Sequence, residues 1–175
     1  MSKHTDTSPE RGIKKPEFSE DIPADSSTNI GAFVYEHYVA WGECDPAQIA
    51  YTANIPKWGL LAVEHWYRTV LGYDWYMLNL EFGIGTPFVS LNFDFVAPVK
   101  PPEPLEIIVT VAGTGNSSIT HHIEGYQEKK LCFKGDTVAV FVNATTMKSI
   151  SIPSNIKKCI EQFVLGQINE HSNKR

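Results

Sequence analysis

Positive charge, cysteine and long apolar runs are all scarce in this chain. Fifteen Lys and Arg face 20 Asp and Glu, for a formal charge of −5. A general nucleic-acid surface needs basic side chains to neutralise phosphates, so that class is excluded. The six histidines soften the balance without reversing it. The three cysteines, Cys44, Cys132 and Cys159, are too widely spaced for a disulfide framework or a metal-binding pair. No apolar run approaches the ~20 residues of a membrane span. The N-terminus, Met1 to Asp6, has no apolar signal-peptide core. The expectation is no metal, no cofactor, no nucleic acid, no membrane and a reducing, cytoplasmic compartment.

What is present suits one domain with a tail. Residues 1–30 are rich in Ser, Thr, Pro and charge and poor in apolar side chains, the composition of a disordered tail. The domain is expected over 31–168, with a flexible C-terminus over 169–175. Phe33 to Glu43 reads as a strand and Ile55 to Leu71 as a helix. Lys57, Glu64 and Arg68 mark one solvent stripe on that helix, with Glu64 and Arg68 spaced as an i,i+4 pair. The remaining faces are apolar, so the helix is buried on most sides. Asp74 is placed to cap a short second helix through Leu80, and Gly83 to end it.

The rest is strand-like. In Phe88 to Val96, Val89, Leu91, Phe93 and Phe95 alternate with polar residues, as do Leu105 to Val111 and, more weakly, Ile119 to Gln127. Val138, Val140 and Val142 open a last strand reaching about Met147. Turns are expected at Pro98 to Pro104, Gly113 to Asn116 and Gly135-Asp136. After Pro153, Ile156, Ile160 and Phe163 form the inner face of a C-terminal helix starting at Ser154. Short turns make successive strands antiparallel. The predicted fold is α+β, a five-stranded antiparallel sheet wrapped around one long central helix, with a C-terminal helix.

The stretch with most chemistry is Gly-Glu-Cys-Asp-Pro-Ala, residues 42–47, which joins the first strand to the buried helix. It sets the Asp45 carboxylate beside a helix N-terminus, whose free N–H groups and positive dipole end stabilise an oxyanion. A carboxylate next to an oxyanion site is the minimum equipment for hydrolysing an activated acyl group. Asp before Pro is also an ordinary turn former. Glu43 is the alternative carboxylate. Cys44 lacks the neighbouring base a thiol nucleophile needs and reads as structural. His121 and His122 point to opposite faces of a strand and are no chelating pair. His65 reads as a core side chain.

The chain resembles the hotdog-fold acyl-CoA thioesterases, most closely the 4-hydroxybenzoyl-CoA thioesterase branch. Gly-Glu-Cys-Asp-Pro-Ala followed by Tyr51, Asn54 and Trp58 carries the resemblance, with Gly83-Ile84-Gly85-Thr86-Pro87 as a second match. It implies that Asp45 is the catalytic carboxylate, as nucleophile or as general base, and that the backbone N–H of Thr52 binds the thioester oxygen. It places Tyr51 and Trp75 at the acyl pocket and implies a homodimer with the site between subunits, often paired again into a homotetramer. The chain departs from the family in two places. Gln48-Ile49 stands where many relatives have a His. The turn from Gly113 to Ser118 has no positive charge where close relatives carry Arg and Lys near the nucleotide phosphates. Lys129, Lys130 or Lys148 are substitutes for that charge, and Ser117 and Ser118 are candidates to hydrogen-bond the pantetheine arm. Hydrolysis of an aromatic or short-to-medium acyl-CoA is the leading expectation. The alternatives are an acyl-carrier-protein thioesterase and a non-catalytic acyl-CoA-binding module.

Overall fold

The computed structural model describes residues 31–173, and side-chain surroundings through residue 167. The tail assigned to residues 1–30 lies outside the described residues. Strand β1 (Phe33–His37) leads through a 3-10 turn (Trp41–Glu43) to helix α1 (Asn54–Trp66), which continues as a π-helical turn (Tyr67–Leu71). Helix α2 (Trp75–Phe82) and a short strand β2 (Ile84–Gly85) follow. Strands β3 (Phe88–Phe95), β4 (Leu105–Thr114), β5 (Ser118–Gln127) and β6 (Lys130–Val140) come next. Strand β7 (Val142–Asn143) and helix α3 (Ser154–Asn173) complete the chain. Helix α3 thus runs past residue 168.

Five strands form one antiparallel sheet in the order β1-β4-β5-β6-β3, while β2 pairs with β7 apart from it. The sheet wraps around α1, as the hotdog reading requires. Trp58, Ala62, Val63, Trp66 and Tyr67 are fully buried against Leu105, Ile107, Val109, Ile123 and Phe133 of the sheet. Burial of a large apolar side chain contributes about 1.5–3 kcal/mol, so this row dominates the stability of the fold. Ile156, Ile160 and Phe163 are the buried face of α3, as their spacing predicts, and the Phe163 ring meets Trp66 edge-on at 5.5 Å.

Several expectations need correction. The first strand ends at His37 rather than Glu43, because the chain turns at 41–43, where the Glu43 and Cys44 amides donate to Ala40 and Trp41 carbonyls. Arg68 does not pair with Glu64. It reaches Asp74 at 3.0 Å, whose other oxygen already accepts from the Met77 amide and so is held in place as the α2 cap. Helix α2 extends to Phe82 before Gly83 ends it in the left-handed region. Gly135-Asp136 is no turn: both lie inside β6, and the hairpin turns at Glu128 and Lys129, each with positive φ. Gly135 is there for close approach, since a Cβ would stand 2.5 Å from the Asn92 carbonyl oxygen. The last strand breaks at Phe141, and Met147 sits in a turn with φ 57°.

The alternation in β3 is also interrupted by a register shift between Phe88 and Ser90. Phe93 packs inward against Phe133 and Gly59, while Val89, Leu91 and Phe95 are exposed. The physical reason is position. Strand β3 is a sheet edge, bonded to β6 on one side only.

Candidate active site

The Asp45 loop is a small clasp closed on itself. Cys44 and Ala50 form an antiparallel bridge, the Asp45 amide donates to the Ile49 carbonyl (2.8 Å), and the Tyr51 amide donates to the Glu43 carbonyl (2.9 Å). This folds residues 43–45 back alongside 49–51, immediately before α1. Asp45 is half-buried, and its Oδ1 accepts the Ala47 amide at 2.8 Å, an Asx turn that fixes the carboxylate. The turn-forming role of Asp45 is therefore real, and it engages one of the two carboxylate oxygens.

Helix α1 begins at Asn54 with no side-chain cap and no acidic residue in its first turn. The Asn54 and Ile55 amides donate back to Tyr51 and Thr52 carbonyls. The Thr52 amide has no acceptor among the described residues. An uncapped helix start keeps its positive end for an incoming anionic oxygen.

Glu43 holds the clasp to the helix. Its Oε2 accepts the Ala40 amide (2.9 Å) and lies 3.4 Å from His37 Nε2, and its Oε1 accepts the Trp58 indole N–H (3.2 Å). Its carbonyl also takes a bond from the Asn54 side chain (3.0 Å). Burial pushes the Glu43 carboxyl up, but the Ala40 and Trp58 donors and His37 outweigh it and hold the group below its usual range. A carboxylate so satisfied is a poor base and a good anchor. Strand alternation and spacing did not point to this role, because the Trp58 partner lies a helical turn into α1.

Thr52 lines a cleft of about 410 Å³. Ile49, Ala50, Thr52 and Ile55 form one wall, and residues 95–99 with Cys132 and Phe133 the other. The Ala50 amide ties the two walls through the Val99 carbonyl at 2.8 Å. Tyr51 is exposed and does not line this cleft. Cys44 is half-buried, its thiol directed at the Ala40 carbonyl (3.8 Å).

The other expected site residues lie at the opposite end of the sheet. Ser117 is in the β4–β5 turn and Ser118 is the first residue of β5, paired to Val140. Trp75 packs against Tyr67 and Phe88, and Phe88 pairs with Ala139. The Asp45 loop is tied instead to Val99, just beyond the Phe95 end of β3. The length of β5 separates these ends by roughly 30 Å at ~3.3 Å per residue. Within one chain the six residues thus fall into two groups, Asp45, Tyr51 and Thr52 at one end and Trp75, Ser117 and Ser118 at the other. Lys129 and Lys130 are exposed at the Asp45 end.

His121 and His122 do point to opposite faces. His121 is fully buried between Trp66 and Tyr67, and burial pushes its pKa down to about 3. His122 faces outward, 2.8 Å from Asp136. His65 stacks on Tyr35 at 4.7 Å. Among the described residues no group of His, Cys, Asp and Glu is arranged to hold a metal ion, and no helix is long and apolar enough to cross a membrane.

Residues 39–160 match the model of the thioesterase-like superfamily. No curated protein sequence matches the chain. A solved thioesterase-superfamily structure from Jannaschia sp. CCS1 is 37% identical, covering 81% of this chain and 96% of the other, with a TM-score of 0.71. The 4-hydroxybenzoyl-CoA thioesterase from Pseudomonas sp. strain CBS-3 is 23% identical (74% and 99% covered, TM-score 0.68). A 1,4-dihydroxy-2-naphthoyl-CoA thioesterase from Synechocystis is 20% identical (77% and 98% covered, TM-score 0.70). At those identities the last two bear on the fold, which they share.

Proposed function

The chain belongs to the thioesterase-like superfamily, and from that premise we propose that it hydrolyses the thioester of an acyl-CoA to the free acid and CoA. The observation that carries this reading is the Asp45 carboxylate clasped beside an uncapped helix start whose Thr52 amide is unengaged. The thioester oxygen accepts from the Thr52 N–H, which stabilises the oxyanion by about 3–4 kcal/mol. Asp45 then acts in one of two ways. It attacks the carbonyl carbon, breaking the C–S bond to give a mixed anhydride that water opens, or it takes a proton from the water that attacks. In both, the CoA sulfur leaves as thiolate and is protonated.

The functional unit in this reading is a homodimer, which members of the resembled family often pair again into a homotetramer. Strand β3 has a free edge with exposed Val89, Leu91 and Phe95, a template for a second copy. A two-fold axis pairs β3 with its symmetry mate antiparallel, setting the Phe88 end of one against the Phe95 end of the other. That brings the Trp75, Ser117 and Ser118 end of the partner subunit to the Asp45 end of the first. Lys129 and Lys130 supply positive charge near that end for CoA phosphates.

The uncharged turn at residues 113–118 favours one second reading, an acyl-carrier-protein thioesterase, because a carrier's phosphopantetheine lacks the nucleotide. The test is free-thiol release from matched acyl-CoA and acyl-carrier substrates by wild type and Asp45→Asn, with an enzyme blank for the native cysteines. Asn can keep the turn bond to Ala47, so the expected result is an unchanged melting temperature and a turnover reduced about 10²–10⁴-fold. Near-normal turnover in Asp45→Asn sinks the assignment. Faster release from the carrier ester moves it to the second reading. Acyl-CoA binding without hydrolysis by wild type leaves a non-catalytic module.

A further inference from the structure

The cleft beside Thr52 is informative about what the acyl group is. Around its roughly 410 Å³ the lining side chains are aliphatic or aromatic, apart from the Thr52 hydroxyl at the chemistry end and the Cys132 thiol. That thiol is nearly fully buried, at 2% exposure, and is directed at the Lys130 carbonyl at 3.5 Å. Burial pushes its pKa up, so it stays a neutral thiol. No lining residue has a carboxylate, amide, imidazole or ammonium group to meet a polar substituent. The volume lies within the range of a small-ligand pocket. Its two walls are the segment 49–55, which includes Thr52 just before α1, and the 95–99 segment with Cys132 and Phe133, so an acyl group whose carbonyl oxygen is held by the Thr52 amide has this cleft within reach.

We propose that this cleft receives the acyl group and selects a plain hydrocarbon acyl, an unsubstituted ring or a medium-length chain, over a ring bearing a hydroxyl. The inference rests on the thioesterase reading and deepens it. A hydroxyl carried into this cleft meets no carboxylate, amide, imidazole or ammonium side chain to replace its bonds to water. The penalty is bounded, because a hydrophobic pocket rejects an isostere with an added hydroxyl by no more than about 10²-fold. The relatives named for hydroxylated aromatic CoA esters are therefore poor guides to this chain's substrate.

The experiment compares kcat/KM for benzoyl-CoA with 4-hydroxybenzoyl-CoA, and for butyryl-, octanoyl- and dodecanoyl-CoA. The proteins are wild type and two cleft-filling variants, Ala97→Phe and Val96→Phe. Val96 is 56% exposed, so its replacement keeps the test open if Ala97→Phe fails to fold. The expected result is a benzoyl preference of about 10–100-fold. In either variant the octanoyl-to-butyryl ratio should fall at least about fivefold, an effect smaller than one decade on this scale. Preference for the hydroxylated ester, or chain-length ratios unchanged in a folded variant, overturns the inference and leaves the thioesterase reading standing. If wild type hydrolyses none of the esters, that reading fails instead. The cleft is then tested by binding of the thioether S-octyl-CoA against CoA alone. Tighter binding that is lost in the variants supports the cleft, and equal binding overturns it.

Discussion

At the scale of the residue, two neighbouring carboxylates have opposite uses. Asp45 has one oxygen in the bond from Ala47 and leaves the other for the proposed reaction, whereas Glu43 gives both of its oxygens to structure. Glu43→Ala would leave the Trp58 indole and the Ala40 amide without their acceptor. The expected cost is about 1–3 kcal/mol of stability, with a fall in turnover because the clasp no longer holds Asp45. Chemical denaturation of Glu43→Ala and Asp45→Asn side by side separates the roles. Equal stability of the two variants contradicts the anchor. His121 makes a second residue-scale case. Its imidazole, buried among aromatic rings, protonates at about pH 3 when folded and near 6.5 when unfolded. The unfolded state therefore binds the extra proton, and this contribution to stability is whole above pH 6.5 and is lost as pH falls toward 3. The slope is at most about 1.4 kcal/mol per pH unit. Denaturation of wild type and His121→Leu across pH 4–7 should show a shallower pH dependence in the variant. Parallel curves mean that His121 does not carry it.

At the scale of the element, glycine placement separates what patterns reveal from what packing decides. A Cβ at Gly135 meets the Asn92 backbone oxygen at 2.5 Å and the Phe93 ring at 2.7 Å, whereas nothing stands within 4 Å of one at Gly113. Gly135→Ala should cost at least about 2 kcal/mol, because a β3 backbone must shift, while Gly113→Ala changes stability by less than about 0.5 kcal/mol. Similar melting temperatures for the two would refute the close-packing account. In the sequence Gly135-Asp136 has the composition of a turn, and only the neighbouring strand reveals that it is not one. The helix α1 core, the Asp74 cap and the inward face of α3 were legible because each rests on local spacing: 3.6-residue periodicity or a cap three residues from its partner. The Asp45 loop was legible from its motif. The Glu43–Trp58 anchor, the Arg68–Asp74 pair and the cleft wall at 95–99 were not, since each depends on which segments the fold brings together. The exposure of β3 was hidden for the same reason. Alternation marks a strand and is silent on whether a neighbour lies on both sides.

At the scale of the molecule, the division of the expected site residues between two ends of one sheet argues for a site completed by a second copy. Strand β3 is one of the two edges of the five-stranded sheet, bonded to β6 alone, and its free edge is where two copies would join. Lysines in place of Leu91 and Val89 on that edge should give a folded monomer by size-exclusion chromatography, with turnover lost although Asp45 and Thr52 are untouched. The sharper test is complementation. Asp45→Asn and Trp75→Leu are each expected to have little activity alone. In a mixed dimer, one site pairs the intact Asp45 of the second variant with the intact Trp75 of the first, and the other site carries both defects. Random pairing of equal amounts then restores about a quarter of wild-type turnover. A site contained within one chain gains nothing from mixing, because neither variant holds both residues. If Trp75→Leu alone proves fully active, Trp75 lies outside the site. No recovery from two inactive variants shown to exchange subunits would place the whole reaction in the single chain.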